Sequence, residues 1–239
     1  MADNYNINRE DEQLHKSLKQ EKAKLSQMTA GEKVEYIFSY YKFHMLGVAI
    51  AVFIIGYFIY ARVNYVDYCL YGIVVNSNYV DEQAADRVTE YLNMDKHEKV
   101  SLIAGLNGDV DYNSGEYYNQ IDIYTVAKTI DFIFTDEVGA NYVCRLGALR
   151  DATQYLPEDL YELWEDRITV MSMYDVDTDD TYIEAPVAID ISGTKVQEYF
   201  GLNDSTCYLM LSDLSGHEEY MQGFLQMLYD IETGAVSAE

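Results

Sequence analysis

The run from Met45 to Ala61, MLGVAIAVFIIGYFIYA, is free of charge, and no polar face interrupts it between Leu46 and Ile59. With Phe43, His44 and Val63 at its borders, it reaches the ~20 apolar residues that carry a helix across a bilayer. Aromatic residues gather at both ends, with Tyr36, Phe38, Tyr40, Tyr41 and Phe43 before it and Tyr57, Phe58, Tyr60 and Tyr65 at its far end. Rings of this kind favour the headgroup level, where one side is wet. Lys42 and Arg62 bracket the run. More than forty residues precede it, unlike the short basic start of a cleavable signal peptide. These features predict an uncleaved single-pass anchor over 44–63, with a helical cytoplasmic segment over 1–43 and an extracytoplasmic domain over 64–239.

Orientation follows from the basic residues near the span. Arg9, Lys16, Lys19, Lys22, Lys24, Lys33 and Lys42 precede it, and after Arg62 the next is Arg87. The expected location is the plasma membrane, with the N-terminus in the cytoplasm and the large domain outside. The chain's formal net charge is −25, the leading segment balances, and Arg62 adds +1, so the part from Asn64 onward carries −26. Such a domain repels phosphate backbones, which excludes nucleic acid as a partner. It also repels anionic lipid headgroups. Only Val63 to Asp67 separate the span from the first strand, a reach of at most ~17 Å.

In the leading segment, Leu14, Leu18, Leu25 and Met28 form a stripe on a charged helix over 9–28. Thr29-Ala30-Gly31-Glu32 fits a capping box, from which a new helix runs through Val34, Ile37 and Tyr41 into the span.

Beyond the span, strands and helices alternate. Strands are expected at 68–76, 99–106, 131–136, 168–174, 183–191 and 206–211. Helices are expected at 80–93, 117–129, 138–146 and 158–166, although Ile121, Ile123, Tyr124 and Val126 also tolerate a strand. A final helix starts at Ser215, where Glu218 completes a second capping box. This order predicts an α/β domain, a mixed and mostly parallel sheet of about five strands with helices on both faces. Pro157 and Pro186 are its only prolines, which favours one domain.

Cys69, Cys144 and Cys207 sit among apolar neighbours and outside any CxxC pair. They read as three buried thiols, or as one disulfide and one free thiol in an oxidising space. No cofactor or metal is expected. Asp175 to Asp180 lacks the Gly and Glu that a calcium loop needs at its sixth and twelfth positions, and Asn107, Asp109, Asp111 and Asn113 read as a solvated acidic turn. No metalloprotease, nucleophile-elbow or phosphate-loop pattern occurs, and His97 and His217 stand alone. The chain is therefore not expected to be an enzyme. In open α/β sheets ligands bind at the carboxyl ends of strands. This makes Asn76, Ser77, Asn107, Thr135 and Asp136 candidates for a ligand edge. Tyr112, Tyr117 and Tyr118 join them as stiff aromatic contacts.

The stretch DFIFTDEVGANYVCRLGALRDATQYLP from Asp131 to Pro157 resembles type 2 extracytoplasmic solute-binding proteins, in which a strand delivers an acidic residue before a short helix. Ile183 to Ala188, Tyr208 to Asp213 and His217 to Ile231 resemble the crossing strand, the returning strand and the closing helix of that family. The stretch VEYIFSYYKFHMLG resembles the anchors of small uncharacterised membrane proteins of Gram-positive anaerobes. The family's second lobe, about a hundred residues, is replaced here by Ile191 to Thr206. The resemblance implies a single-lobe, truncated relative whose cleft is incomplete. Two functions are expected of such a chain: a non-catalytic domain that binds a protein or cell-envelope partner, or a small-molecule receptor working with a transporter.

Overall fold

The computed structural model describes residues 20, 22–23, 26–77, 79–108, 120–147, 149–175, 181–214 and 216–237. They form two compact units, Met1–Tyr65 and Val66–Glu239. The first is dominated by one continuous helix, α1 (Ala30–Val63, 34 residues). It begins where the sequence predicts, because the Glu32 carboxylate accepts hydrogen bonds from the Thr29 backbone N–H and hydroxyl, both at 2.8 Å. It ends where the Asn64 backbone N–H and side-chain amide both turn back to the Tyr60 carbonyl. Tyr41–Val63, 23 residues, is long and apolar enough to cross a membrane, and none of it is buried by the protein. At 1.5 Å per residue it spans about 35 Å, beyond the ~30 Å hydrocarbon core. The charged helix expected over 9–28 lies mostly outside the described residues.

The second unit is an α/β domain around one six-stranded sheet in the order β2-β1-β3-β6-β5-β4. Its strands are β1 (Asp67–Val75), β2 (Glu98–Leu106), β3 (Phe132–Thr135), β4 (Ile168–Tyr174), β5 (Tyr182–Asp190) and β6 (Tyr208–Leu211). The helices are α2 (Ala84–Tyr91), α3 (Gln120–Val126), α4 (Glu137–Leu146), α5 (Ala152–Tyr155), α6 (Glu158–Trp164), α7 (Lys195–Phe200) and α8 (Glu218–Thr233).

The sheet departs from the expectation in size and direction. It has six strands, and although β1 runs parallel to β2 and β3, the β3–β6, β6–β5 and β5–β4 pairs are antiparallel. The reason lies in the connections. Helices α2 and α3 carry the chain back between the first three strands, as a parallel crossover requires. Only residues 175–181 join β4 to β5, and a link this short permits only a hairpin.

Alternation along each strand feeds two cores. Leu70 and Val74 of β1, Phe132 and Phe134 of β3, and Leu209 and Leu211 of β6 face a core shared with α2, α5, α6, α7 and α8. Ile73, Val75, Ile133 and Met210 face the other, shared with α3 and α4. Helices thus cover both faces. In β5, Val187 and Ala188 are consecutive yet both reach the second core. The pairing skips Val187 between Thr169–Ala188 and Val170–Pro186, so a bulge re-aims the strand.

The first core is centred on aromatic rings. Phe132 and Phe224 stack with centroids 4.1 Å apart, and Phe200 packs beside Phe134 at 4.9 Å. Gly72 makes room for them, since a Cβ there would lie 2.3 Å from the Phe132 ring. Truncating Phe224, which is fully buried, should cost about 3–5 kcal/mol. Chemical denaturation of F224A checks this; a loss under ~1 kcal/mol would show that this stack does not organise the core.

Candidate functional site

The carboxyl ends of β1 and β3 form the sheet's switch point, where successive crossovers depart to opposite sides of β1. Asn76, Ser77, Thr135 and Asp136 all lie there. Asn76 adopts φ +62°, a left-handed conformation that Asn tolerates better than most residues. Its backbone N–H donates to the Leu106 carbonyl at 2.7 Å. Its side-chain Nδ2 donates to Asp136 Oδ1 at 2.8 Å, and its Oδ1 accepts from the Gly108 N–H at 2.7 Å. Asp136 in turn caps α4 by accepting from the Gly139 N–H at 2.8 Å. One amide and one carboxylate therefore bind the ends of β1, β2 and β3 to the first turn of α4.

The backbone packs as tightly as these bonds imply. A Cβ on Gly139 would lie 2.1 Å from Thr135 Oγ1 and 2.8 Å from Val75 Cγ1. Thr135 is buried, and its hydroxyl has no hydrogen-bond partner among the described residues. Ser77 is also buried; its hydroxyl donates to the Tyr79 carbonyl at 3.2 Å, and its own carbonyl accepts from the Gly105 N–H at 3.3 Å. Asn107 is exposed. Tyr112, Tyr117 and Tyr118 lie outside the described residues. The expected ligand edge thus contains a closed polar network between Asn76 and Asp136. The domain also has cavities of about 650 Å³ and 340 Å³, the first lined from Tyr79, whose carbonyl Ser77 bonds. The larger borders the 79–83 turn and Gly201, and the smaller lies between α7 and the end of α8.

A second polar cluster, at the opposite end of β3, was not legible from local spacing. Asp131 is fully buried, and its Oδ2 accepts from the Tyr71 N–H at 2.7 Å. His217 Nδ1 lies 3.1 Å from the same oxygen, so the histidine that stands alone in sequence is paired across 86 residues. The start of α8 carries a further network. Arg150 pairs with Glu218, stacks over Tyr155 at 4.1 Å, and donates from Nε to the Ser212 carbonyl at 2.9 Å. Tyr155 donates its hydroxyl to Glu218 at 2.7 Å, and this bond, with the arginine, holds the Glu218 carboxyl below its ordinary range. The N-cap position of α8 is His217, and Glu218 turns to Tyr155 and Arg150. Ser215, the other half of the expected capping box, lies outside the described residues.

All three cysteines are free and buried. Burial pushes Cys144 up to about 11 and Cys207 to about 12, and raises Cys69, to which Glu98 adds. These are the opposite of activated thiolates. Among the described residues, no three His, Cys, Asp or Glu side chains gather where they could hold a metal ion. No family model, curated protein or solved structure matches the chain.

Two predictions follow from this geometry. Gly139→Ala should cost about 1–3 kcal/mol through overpacking. In a Thr135→Ala background the same change should cost less, because the nearest clashing atom is gone; equal costs in both backgrounds would place the strain elsewhere. The thiols set a pH dependence. Their folded pKa values lie above the ~8.5 of an unfolded cysteine, so the unfolded chain loses these protons first as pH rises. Their stabilising contribution is complete below about pH 8.5 and declines as pH climbs toward 11–12. Thermal unfolding across that range, with maleimide labelling at pH 8, reads both effects. Labelling of the native protein as fast as of the urea-unfolded chain would contradict it.

Proposed function

We propose that this chain is a single-pass membrane protein whose extracytoplasmic α/β domain binds a protein or cell-envelope partner without catalysis. The observation that carries the reading is the exposure of Tyr41–Val63 on every side. Apolar surface costs about 25 cal/mol per Å² to leave in water, so a helix this long without a polar stripe belongs in lipid. Six basic residues before Tyr41, with Lys42 at the start of the span, and none between Arg62 and Arg87 favour a cytoplasmic N-terminus.

The choice of a macromolecular partner over a small molecule rests on the switch point. A receptor of the solute-binding type would hold its ligand at these strand ends, and here Asn76 and Asp136 are committed to each other and to Gly108 and Gly139. Their polar groups serve the fold. Binding then falls to the outer surface, which the charge of −26 keeps clear of nucleic acid and anionic lipid.

Protease added to intact cells carrying the full chain with a tag at each end should remove the C-terminal tag and spare the N-terminal one until lysis. Protection of the C-terminal tag in intact cells, or recovery of the chain in the soluble fraction without detergent, would overturn the reading.

A further inference from the structure

The two edges of the sheet are β2 and β4, and they differ in how they are guarded. Exposed edge strands pair with other strands unless charge, proline or irregularity prevents it. β2 begins with Glu98 and Lys99, carries Gly105 at φ +79°, and meets β1 with two register shifts. β4 reads ITVMSMY, seven residues with no charge, proline or glycine. Its register shift falls near its start, where the extra residue, Val187, belongs to β5. Met171 and Met173 turn toward the core beside α4, while Val170 and Ser172 are exposed. On the same face, the neighbouring β5 exposes Tyr182, whose ring packs 5.8 Å from that of Tyr174.

We propose that β4 is an interaction edge whose partner is the β4 strand of a second copy of this chain, paired antiparallel about Met171. This inference rests on the membrane-anchored binding domain proposed above and names its partner. Charge selects the occupant. In this register Arg167 stands opposite Asp175 of the second copy at both ends of the ladder, Ile168 opposite Tyr174, and Val170 opposite Ser172. Arg167 Nη1 also donates to the Asp190 and Ser192 carbonyls at 3.1 and 3.2 Å, on the β5 side of the strand. A domain of −26 would ordinarily repel its copy, but the paired strands themselves are neutral. Glu184, on the exposed face of β5, would be separated from its counterpart by about three strand spacings, ~14 Å. That exceeds the ~8 Å Debye length at physiological salt. Antiparallel self-pairing also has two-fold symmetry, so both copies present the same strand.

Disulfide trapping in membranes tests the register. Two full-length chains with different tags are co-expressed, one carrying Val170→Cys and the other Ser172→Cys, and the membranes are oxidised with copper phenanthroline. Both positions are exposed, so neither change burdens the fold, and the three native thiols are buried. The mixed disulfide should form at least tenfold faster than with Val126→Cys, a control on α3 that is 82% exposed. Adding Val170→Lys to the chain with Ser172→Cys, and Ser172→Lys to the chain with Val170→Cys, should abolish it. Cross-linking no better than the control, or a mixed disulfide that survives both lysines, would overturn the proposal. Capture of a different polypeptide by these cysteines would also overturn it, while leaving the membrane-anchored binding domain intact. Failure of that broader reading would show separately, as a C-terminal tag inaccessible to external protease.

Discussion

The domain is organised by β3, four residues buried without exception and fixed at both ends by aspartates. Phe132 and Phe134 face one core and Ile133 the other, so the strand separates two hydrophobic layers while belonging to both. It is also where the sheet changes direction, parallel toward β1 and antiparallel toward β6. Asp131 at its start is buried against the Tyr71 amide and His217, which ties β3 to β1 and to the beginning of α8. Asp136 at its end caps α4 and receives Asn76. A buried carboxylate is tolerated only when hydrogen-bonded, and leaving one without its partners costs about 1–3 kcal/mol or more. Both ends of β3 therefore set the register of their neighbours as well as filling space.

This economy of polar groups shapes the functional reading. In many open α/β sheets the switch point between adjacent parallel strands is left available to a ligand. Here the residue types that would greet a ligand are present, an amide, two hydroxyls and a carboxylate, but the fold engages or encloses them. Asn76 spans three strand ends, Ser77 closes its own turn, and Thr135 is sealed beneath Gly139. Near the other end of β3, burial and the Glu98 charge raise the pKa of the Cys69 thiol. On the function proposed above, recognition falls to the outside of the domain, and the β4 edge is the part proposed for a backbone partner.

Much of this architecture is legible in the chain. The helix from Ala30 to Val63 follows from a capping box and an unbroken apolar run, and the strand Ile168–Tyr174 from its β-branched and aromatic composition. Placing Asn76 and Asp136 at one end of the sheet needed only the rule about strand ends. Strand direction was less accessible, because alternating strands and helices suggest crossovers, whereas the short β4–β5 link and the antiparallel return of β6 are tertiary choices. The Asp131–His217 pair spans 86 residues and leaves no local spacing to detect. Its one sequence signal is an aspartate directly before an apolar strand, where an acidic residue must find a partner. The engagement of Asn76 depends on its left-handed backbone and on the approach of Gly108 and Gly139, features that composition does not reveal.

Hydrogen exchange on the full chain in lipid nanodiscs addresses the central claim, that the carboxyl ends of β1 and β3 are closed from within. The Gly108 and Gly139 amides, which donate to Asn76 and Asp136, should exchange as slowly as the amides of β3. Exchange of both at the rate of an unstructured loop would mean that the crevice stands open, and would return these strand ends to the role of a ligand site.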